Sequence, residues 1–412
     1  MGGLIEVVLG IMTAVGGFVD VSELTFAAQA GSRFGYSLLW VFALSTVGII
    51  VFGEMSGRVA AVAHQPVFAA MRQRLGLGVG LVTLIASVVV SLITCAAELG
   101  GMALVLKLLV GGPYRALALI SAAALVVIVW VLPFKWIERL FGLLGLSMLV
   151  YAAAAVALHP PWLEVAHGLI PQFPLAAGGG DKLAYGYFMV AIASAVMFPY
   201  ETYFYSSGGI EDRWGRKDLP VNRLTTGVGF SLGSLLAMAI LISAAVIFRP
   251  AHADPRLPGT VALEVAAPFG RSGLVVALFG MLLAFGGAAV ETCLSAAYSV
   301  AQFFGWPWGR YRKPAETPRF SLSWLIAFAV ATGVVLTGVE PLQLVEWSIV
   351  FSVVLLPLTY LPLLLIANDK KFMTDQANGW VANLLGWAFY AALVAAAVAA
   401  LPLYFLTSGG QK

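Results

Sequence analysis

Long, uninterrupted apolar runs set the frame for this chain, because about twenty apolar residues carry an α-helix across roughly 30 Å of hydrocarbon. Such runs lie at residues 4–30, 37–62, 77–110, 114–133, 137–157, 183–209, 224–248, 272–304, 320–338, 342–366 and 379–407, and they predict eleven spanning helices. Of the 412 residues, 61% are hydrophobic and only 10% are Asp, Glu, Lys or Arg, too few polar residues to coat a water-soluble protein of this size. A membrane β-barrel would instead alternate apolar and polar residues in short segments. The expected class is an all-α polytopic membrane protein. Two longer polar loops, near 158–182 and 249–271, are rich in Pro and Gly and hold no separate soluble domain.

The charges report topology rather than partners. A net charge of +3 is too small to suggest nucleic acid. With the N-terminus in the cytoplasm, fifteen of the 23 Lys and Arg residues fall on the inside and eight outside, which follows the positive-inside rule and puts the C-terminus outside. The first twenty residues carry Glu6 but no Lys or Arg, so they read as the first span rather than a cleaved signal peptide. Cys95 and Cys293 both fall inside apolar runs and read as small packing residues, with neither a disulfide framework nor a thiolate metal cluster indicated.

Two spans are interrupted near their middle. The first has Gly16-Gly17 followed by Asp20-Val21-Ser22-Glu23, and the sixth has Met197-Phe198-Pro199-Tyr200-Glu201. Pro199 removes a backbone hydrogen bond, which lipid tolerates only where protein, water or substrate satisfies the freed groups. Broken helices at matching places in two halves are the mark of transporters built from inverted repeats, with the substrate at the midplane. Repeat one is expected over about 4–157, repeat two over about 183–366, and an additional helix over 379–407.

Ionised side chains at membrane depth cost about 2.5 kcal/mol or more each and usually mark a pathway or relay. Here Asp20 and Glu23 lie in the first span, Glu98 in the third, Glu201 in the sixth and Glu291 in the eighth, with no Lys or Arg at comparable depth. Carboxylates without a cationic partner must bind a cation, bind protons or face water. All four histidines, His64, His159, His167 and His252, fall in loops or at helix ends, so no imidazole reaches mid-membrane. Oxygen donors alone suit hard ions such as Mg²⁺, Mn²⁺ or Ca²⁺. Met197 is read as packing, and Tyr200, Tyr203 and Tyr205 form a polar aromatic run that either lines a wet path or packs.

At these residues a family becomes recognisable. DVSELTFAAQAGSRFGYSLLWV resembles the first helix of the Nramp family of proton-coupled divalent metal transporters, in which an Asp-Pro-Gly-Asn motif precedes a similar AGS-FGY-LLWV stretch. CAAELGGMALVLKLL, KWIERL, SAVMFPYETYFYSS and LPLTYLPLLLIANDKKFM agree in order along nearly the whole chain. The resemblance implies a LeuT-type fold of two inverted five-helix repeats plus an eleventh helix. It also implies that the site has diverged. Of the first motif only Asp20 survives, the metal-binding thioether position is Phe198, and two pathway histidines fall on Tyr200 and Tyr205. Glu98 matches a family glutamate associated with proton movement, while the acid expected one turn earlier is Cys95. A related branch that carries Mg²⁺ has likewise lost the usual ligands.

Three readings follow. In the first, a secondary transporter moves a hard divalent cation, Mg²⁺ or Mn²⁺, with weak or absent proton coupling. Asp20, Glu23 and Glu201 are its metal ligands, Ala195, Phe198 and Tyr200 complete the binding site, and Glu98, Tyr205 and Glu291 form a proton or ion path. In the second, the scaffold carries an organic solute or a metal–organic complex. The third is a non-transporting sensor. In each case the chain is expected to lie in a bacterial inner membrane as a monomer among lipids, to need no cofactor and not to be an enzyme.

Overall fold

The computed structural model describes residues 19–132, 136–137, 141–142, 145–173 and 179–411. Gly16-Gly17, the start of the first span and most of KWIERL lie outside the described residues. The main helices are α1 (Val21–Phe34), α2 (Leu39–Ala63), α3 (Val67–Val110), α4 (Tyr114–Val131), α5 (Leu149–Ala157), α6a (Gly179–Val196), α6b (Pro199–Glu211), α7 (Leu219–Ile247), α8 (Leu263–Phe304), α9 (Pro318–Leu336), α10 (Pro341–Asn368) and α11 (Trp380–Thr407). Among the described residues nine helical stretches are long and apolar enough to cross a membrane. α1 and α5 sit where the sequence expects the first and fifth spans.

Local chemistry sets the element ends. α2 closes at His64 in a left-handed conformation, and Pro66 opens α3. α3 runs 44 residues but breaks at Gly76, whose φ of 85° only glycine adopts cheaply, so its spanning part begins where the apolar run does, near residue 77. α8 has a similar joint at Gly270, φ 61°, two residues after Pro268. The expected polar loop at 249–271 is therefore partly helical, with a short turn at Pro258–Val261 and the first residues of α8 packed inward. Proline at the first helical position and the buried apolar Val261, Ala262 and Val265 account for the difference. In the other loop, Trp162–His167 forms a short helix.

α3 packs most extensively against α8, and α10 crosses α3, α6a and α11. α1 lies against α7 at close range because Gly31 has no side chain, and a Cβ there would overlap the Leu241 carbonyl. One end of the bundle is clasped by basic side chains: Arg58 reaches the Gln376 carbonyl and Asn378, Arg74 pairs with Asp369, and Arg216 with Asp375. The Lys371 backbone N–H and the Arg74 guanidinium hold the Asp369 carboxyl below the usual carboxylate range. Arg310 pairs with Glu211 at 2.9 Å, tying the end of α6b to the segment after α8.

The α1–α7 contact is testable. Gly31→Val is expected to lower stability by about 1–3 kcal/mol through overpacking, seen as an earlier thermal unfolding transition in detergent. Gly78→Ala, where nothing approaches within 4 Å, is expected to leave the transition unchanged or raise it.

Candidate functional site

The sixth span breaks between Val196 and Pro199, and the start of α1 at Asp20 lies beside that break. Asp20 is the N-cap of α1, extended at φ −72° and ψ 172°, and its Oδ1 accepts from the Glu23 N–H at 2.6 Å. Phe198 holds the matching place before α6b, with Pro199 at N1, where a missing N–H costs nothing. Counting from each cap, Glu23 and Glu201 occupy the same third helical position. Both acids thus sit at the positive end of a helix, which offsets part of the cost of a buried carboxylate, about 0.3–2 kcal/mol each. No Lys or Arg is needed for that.

Side chains bind the two helix starts into the surrounding bundle. The Val21 N–H donates to the Glu98 carboxylate from α3, at 3.1 Å to Oε1 and 3.4 Å to Oε2. Tyr360 of α10 donates to the Met197 carbonyl at 3.0 Å, Ser194 donates to the Ile349 carbonyl at 3.0 Å, and Ser22 meets Ser348 at 3.2 Å. Ser295 of α8 donates to the Tyr200 carbonyl at 3.0 Å and Ser56 of α2 to the Thr202 carbonyl at 2.7 Å.

Between the breaks lies a small cavity lined by Glu23, Ile49, Ala195, Val196, Glu201, Phe230 and Ser234. Its volume of about 10 Å³ is close to what a single water needs. Asp20 and Glu23 are 2% and 3% exposed, and Glu23 lies within electrostatic reach of both Asp20 and Glu201. Among the described residues, Asp20 Oδ2 and Glu201 Oε2 are buried with no hydrogen-bond partner, an arrangement that asks for a proton or a cation. Ala195 and Val196 end α6a, where helix geometry leaves the last carbonyls without intrahelical donors. Among the described residues, no three His, Cys, Asp or Glu side chains converge tightly enough to form a ready metal cage. The acids are gathered but not yet closed on one point.

The remaining sequence candidates divide by position. Tyr200 and Glu201 lie within electrostatic reach of Glu291, and Tyr200 also of Asp20 and Glu98. Phe198 is fully buried and packs its ring 5.4 Å from that of Tyr200, outside the lining of the cavity. Met197 turns its thioether toward Gly48 and Phe389, as a packing residue does. Tyr205 sits nearer the basic end, donating to Asn222 Oδ1 at 2.9 Å, while Asn222 donates to the Glu54 carbonyl. The sequence reading missed Glu264. It is fully buried, both its carboxyl oxygens lack hydrogen-bond partners, and it lies within electrostatic reach of buried Tyr151. The signal for it was the apolar setting Val261, Ala262 and Val265 inside an otherwise polar loop.

At the opposite end from the Arg58 clasp, a cleft of about 400 Å³ opens over the end of α1 and Phe188 of α6a. Arg33, Arg249, Arg256 and His252 line it, with Asp254 the one acid, paired to Arg256 at 2.5 Å.

The Nramp family model, described as "Natural resistance-associated macrophage protein-like", matches residues 10–402. The chain belongs to the Nramp family. Curated relatives include the divalent metal cation transporter MntH of Ralstonia nicotianae, 27% identical over 399 residues that cover 93% of this chain and 87% of the relative. MntH of Xylella fastidiosa strain Temecula1 is 29% identical over 378 residues, covering 88% and 78%. Among solved structures, the Eremococcus coleocola manganese transporter superposes with a TM-score of 0.80 at 20% identity, covering 98% of this chain and 87% of its own. MhsT in complex with L-phenylalanine gives 0.64 at 16% identity, covering 97% and 98%. These neighbours show the fold, the LeuT-type arrangement. The chain is an integral membrane transporter of the Nramp family, and not an enzyme.

If Glu98 holds the start of α1, its replacements separate. Glu98→Leu strands the buried Val21 N–H and is expected to cost about 1–3 kcal/mol of stability. Glu98→Gln keeps an acceptor and is expected to unfold close to the parent in the same thermal scan.

Proposed function

We propose that this Nramp protein carries a hard divalent metal cation, Mn²⁺ or Mg²⁺, across a bacterial inner membrane by alternating access, with the N-terminus cytoplasmic and the C-terminus outside. The observation that carries the reading is the pair of buried, unpartnered oxygens, Asp20 Oδ2 and Glu201 Oε2, at the edges of two facing half-helices. Asp20, Glu23 and Glu201 supply the charge and the end of α6a supplies carbonyls at Ala195 and Val196. The cavity admits an ion with little or no water and nothing larger in this conformation. Closing the three acids on the ion is then part of binding, and rocking of α1 and α6 against the helices that hold them exposes the site to each side in turn. The two expected inverted repeats, about 4–157 and 183–366, supply the symmetry for this motion.

Oxygen donors favour hard ions, and the sulfur that would favour softer ones is turned away at Met197 and replaced by a ring at Phe198. The relatives are named as divalent metal cation transporters and the fold neighbour as a manganese transporter, which supports the divalent class. Proton coupling is weak or absent in this reading. Glu98 is occupied as the acceptor of the Val21 N–H, and Tyr205 is bonded to Asn222. A second reading, uptake of an anionic metal chelate, draws on the arginine-lined cleft, whose charge would attract a polycarboxylate and repel a free cation.

Purified protein in liposomes, with Mn²⁺ and Mg²⁺ influx followed by internal dyes, tests this function. Free-ion influx that is abolished by Asp20→Ala and lowered about tenfold or more by Glu23→Ala or Glu201→Gln is expected. Influx only when citrate accompanies the metal would replace the first reading by the second, and absence of uptake in both conditions would contradict both. An internal pH dye in the same vesicles is expected to stay constant during uptake.

A further inference from the structure

The chain has two cysteines in 412 residues, 198 positions apart, and the fold brings their sulfurs together. Cys95 Sγ on α3 lies 3.1 Å from Cys293 Sγ on α8, with both thiols free and both residues essentially fully buried. The contact sits in the most extensively packed pair among the described helices. Cys95 also reaches the Ala289 carbonyl at 3.7 Å, one turn before Cys293 on the same helix, so its sulfur is directed onto α8 from two points. The surrounding residues are small: Ala96, Ala97, Ala288, Ala289, Ala296 and Ala297 are all buried, which lets the two backbones approach at this level.

We propose that Cys95 and Cys293 are a redox pair, converted by a peroxide-class oxidant into a reversible intramolecular disulfide that staples α3 to α8. The sequence alone reads these residues as packing, because nothing in their spacing predicts contact. The fold supplies the geometry. The Cys95 sulfur attacks one oxygen of hydrogen peroxide, the O–O bond breaks, and the thiol proton passes to the departing oxygen, which leaves as water, so that a sulfenic acid remains on Cys95. Cys293 sulfur then attacks the Cys95 sulfur, the S–O bond breaks and a second water leaves. Two thiols and one peroxide give one disulfide and two waters, so the thiols are oxidised and the peroxide reduced. Burial selects the oxidant, since hydrogen peroxide is neutral and little larger than water, whereas a bulky disulfide reagent finds no path to the pair.

The location gives the staple a consequence. Glu98 holds the first N–H of α1 at 3.1 Å, so fixing α3 against α8 one turn away fixes the acceptor on which the first helix break depends. α1 and α6b themselves remain unlinked. The inference does not rest on the identity of the transported ion, and its test is chemical.

Full-length folded protein in detergent is exposed to hydrogen peroxide, quenched, denatured with excess maleimide and weighed intact. Without peroxide, two maleimides are expected. After peroxide, the expected product is a monomer lighter by two hydrogens that takes no maleimide, and dithiothreitol added on denaturation, before the maleimide, restores both additions. Cys95→Ser and Cys293→Ser, each with a single thiol, are expected to give no such product, only unreacted thiol or oxygen adducts. Retention of two reactive thiols in the parent protein, oxygen adducts or cross-linked dimers as the only products, or protection reversed by a metal chelator rather than by dithiothreitol would each overturn the proposal.

Discussion

Everything at the centre of this molecule follows from one constraint: a backbone group freed inside a membrane has no water to bond to. The start of α1 and the break in α6 leave N–H and C=O groups free at mid-depth, and the helices around them answer. Glu98 takes the Val21 N–H and Tyr360 donates to the Met197 carbonyl, while Ser295 and Ser56 add second bonds to the Tyr200 and Thr202 carbonyls inside the first turns of α6b. These partners come from α2, α3, α8 and α10, so the breaks are properties of the whole bundle rather than of two helices. The same bonds that stabilise the interruptions also position them.

Much of this was legible in the chain. Apart from the first and fifth spans, which lie partly outside the described residues, the apolar runs match the helices closely, and in α3 and α8 glycine joints at Gly76 and Gly270 carry the helix on beyond the apolar stretch. Pro199 and the buried acids located the breaks, because a proline and unpaired carboxylates have few uses at that depth. What the sequence could not show were contacts made across long separations. The hydroxyl of Tyr360 and the thiol of Cys293 become meaningful only when α10 and α8 are laid against α6 and α3. Glu264 was hidden by composition: prolines and glycines around it read as loop, while the fold buries it. The register shared by Glu23 and Glu201 became visible only once both N-caps were fixed at Asp20 and Phe198.

That shared register bears on the chemistry of the site. Three acids and no basic side chain would be an unstable arrangement in lipid if charge were all that mattered. Two helix N-termini supply partial positive charge to Glu23 and Glu201, and the local N–H of Glu23 supplies a bond to Asp20. The compensation is incomplete, since among the described residues one oxygen of Asp20 and one of Glu201 remain without a partner. A site so poised is under-satisfied when empty and gains on binding a cation. Its donors are oxygens throughout, and the Met197 sulfur beside the break is packed against Gly48.

The most direct test of this account is an anomalous diffraction map from crystals grown with Mn²⁺, compared with crystals grown without it. The account predicts a metal-dependent peak between the Asp20, Glu23 and Glu201 carboxylates, within about 2.0–2.6 Å of the coordinating oxygens. A peak elsewhere in the bundle, or none at the two breaks under conditions in which the protein takes up Mn²⁺, would contradict it.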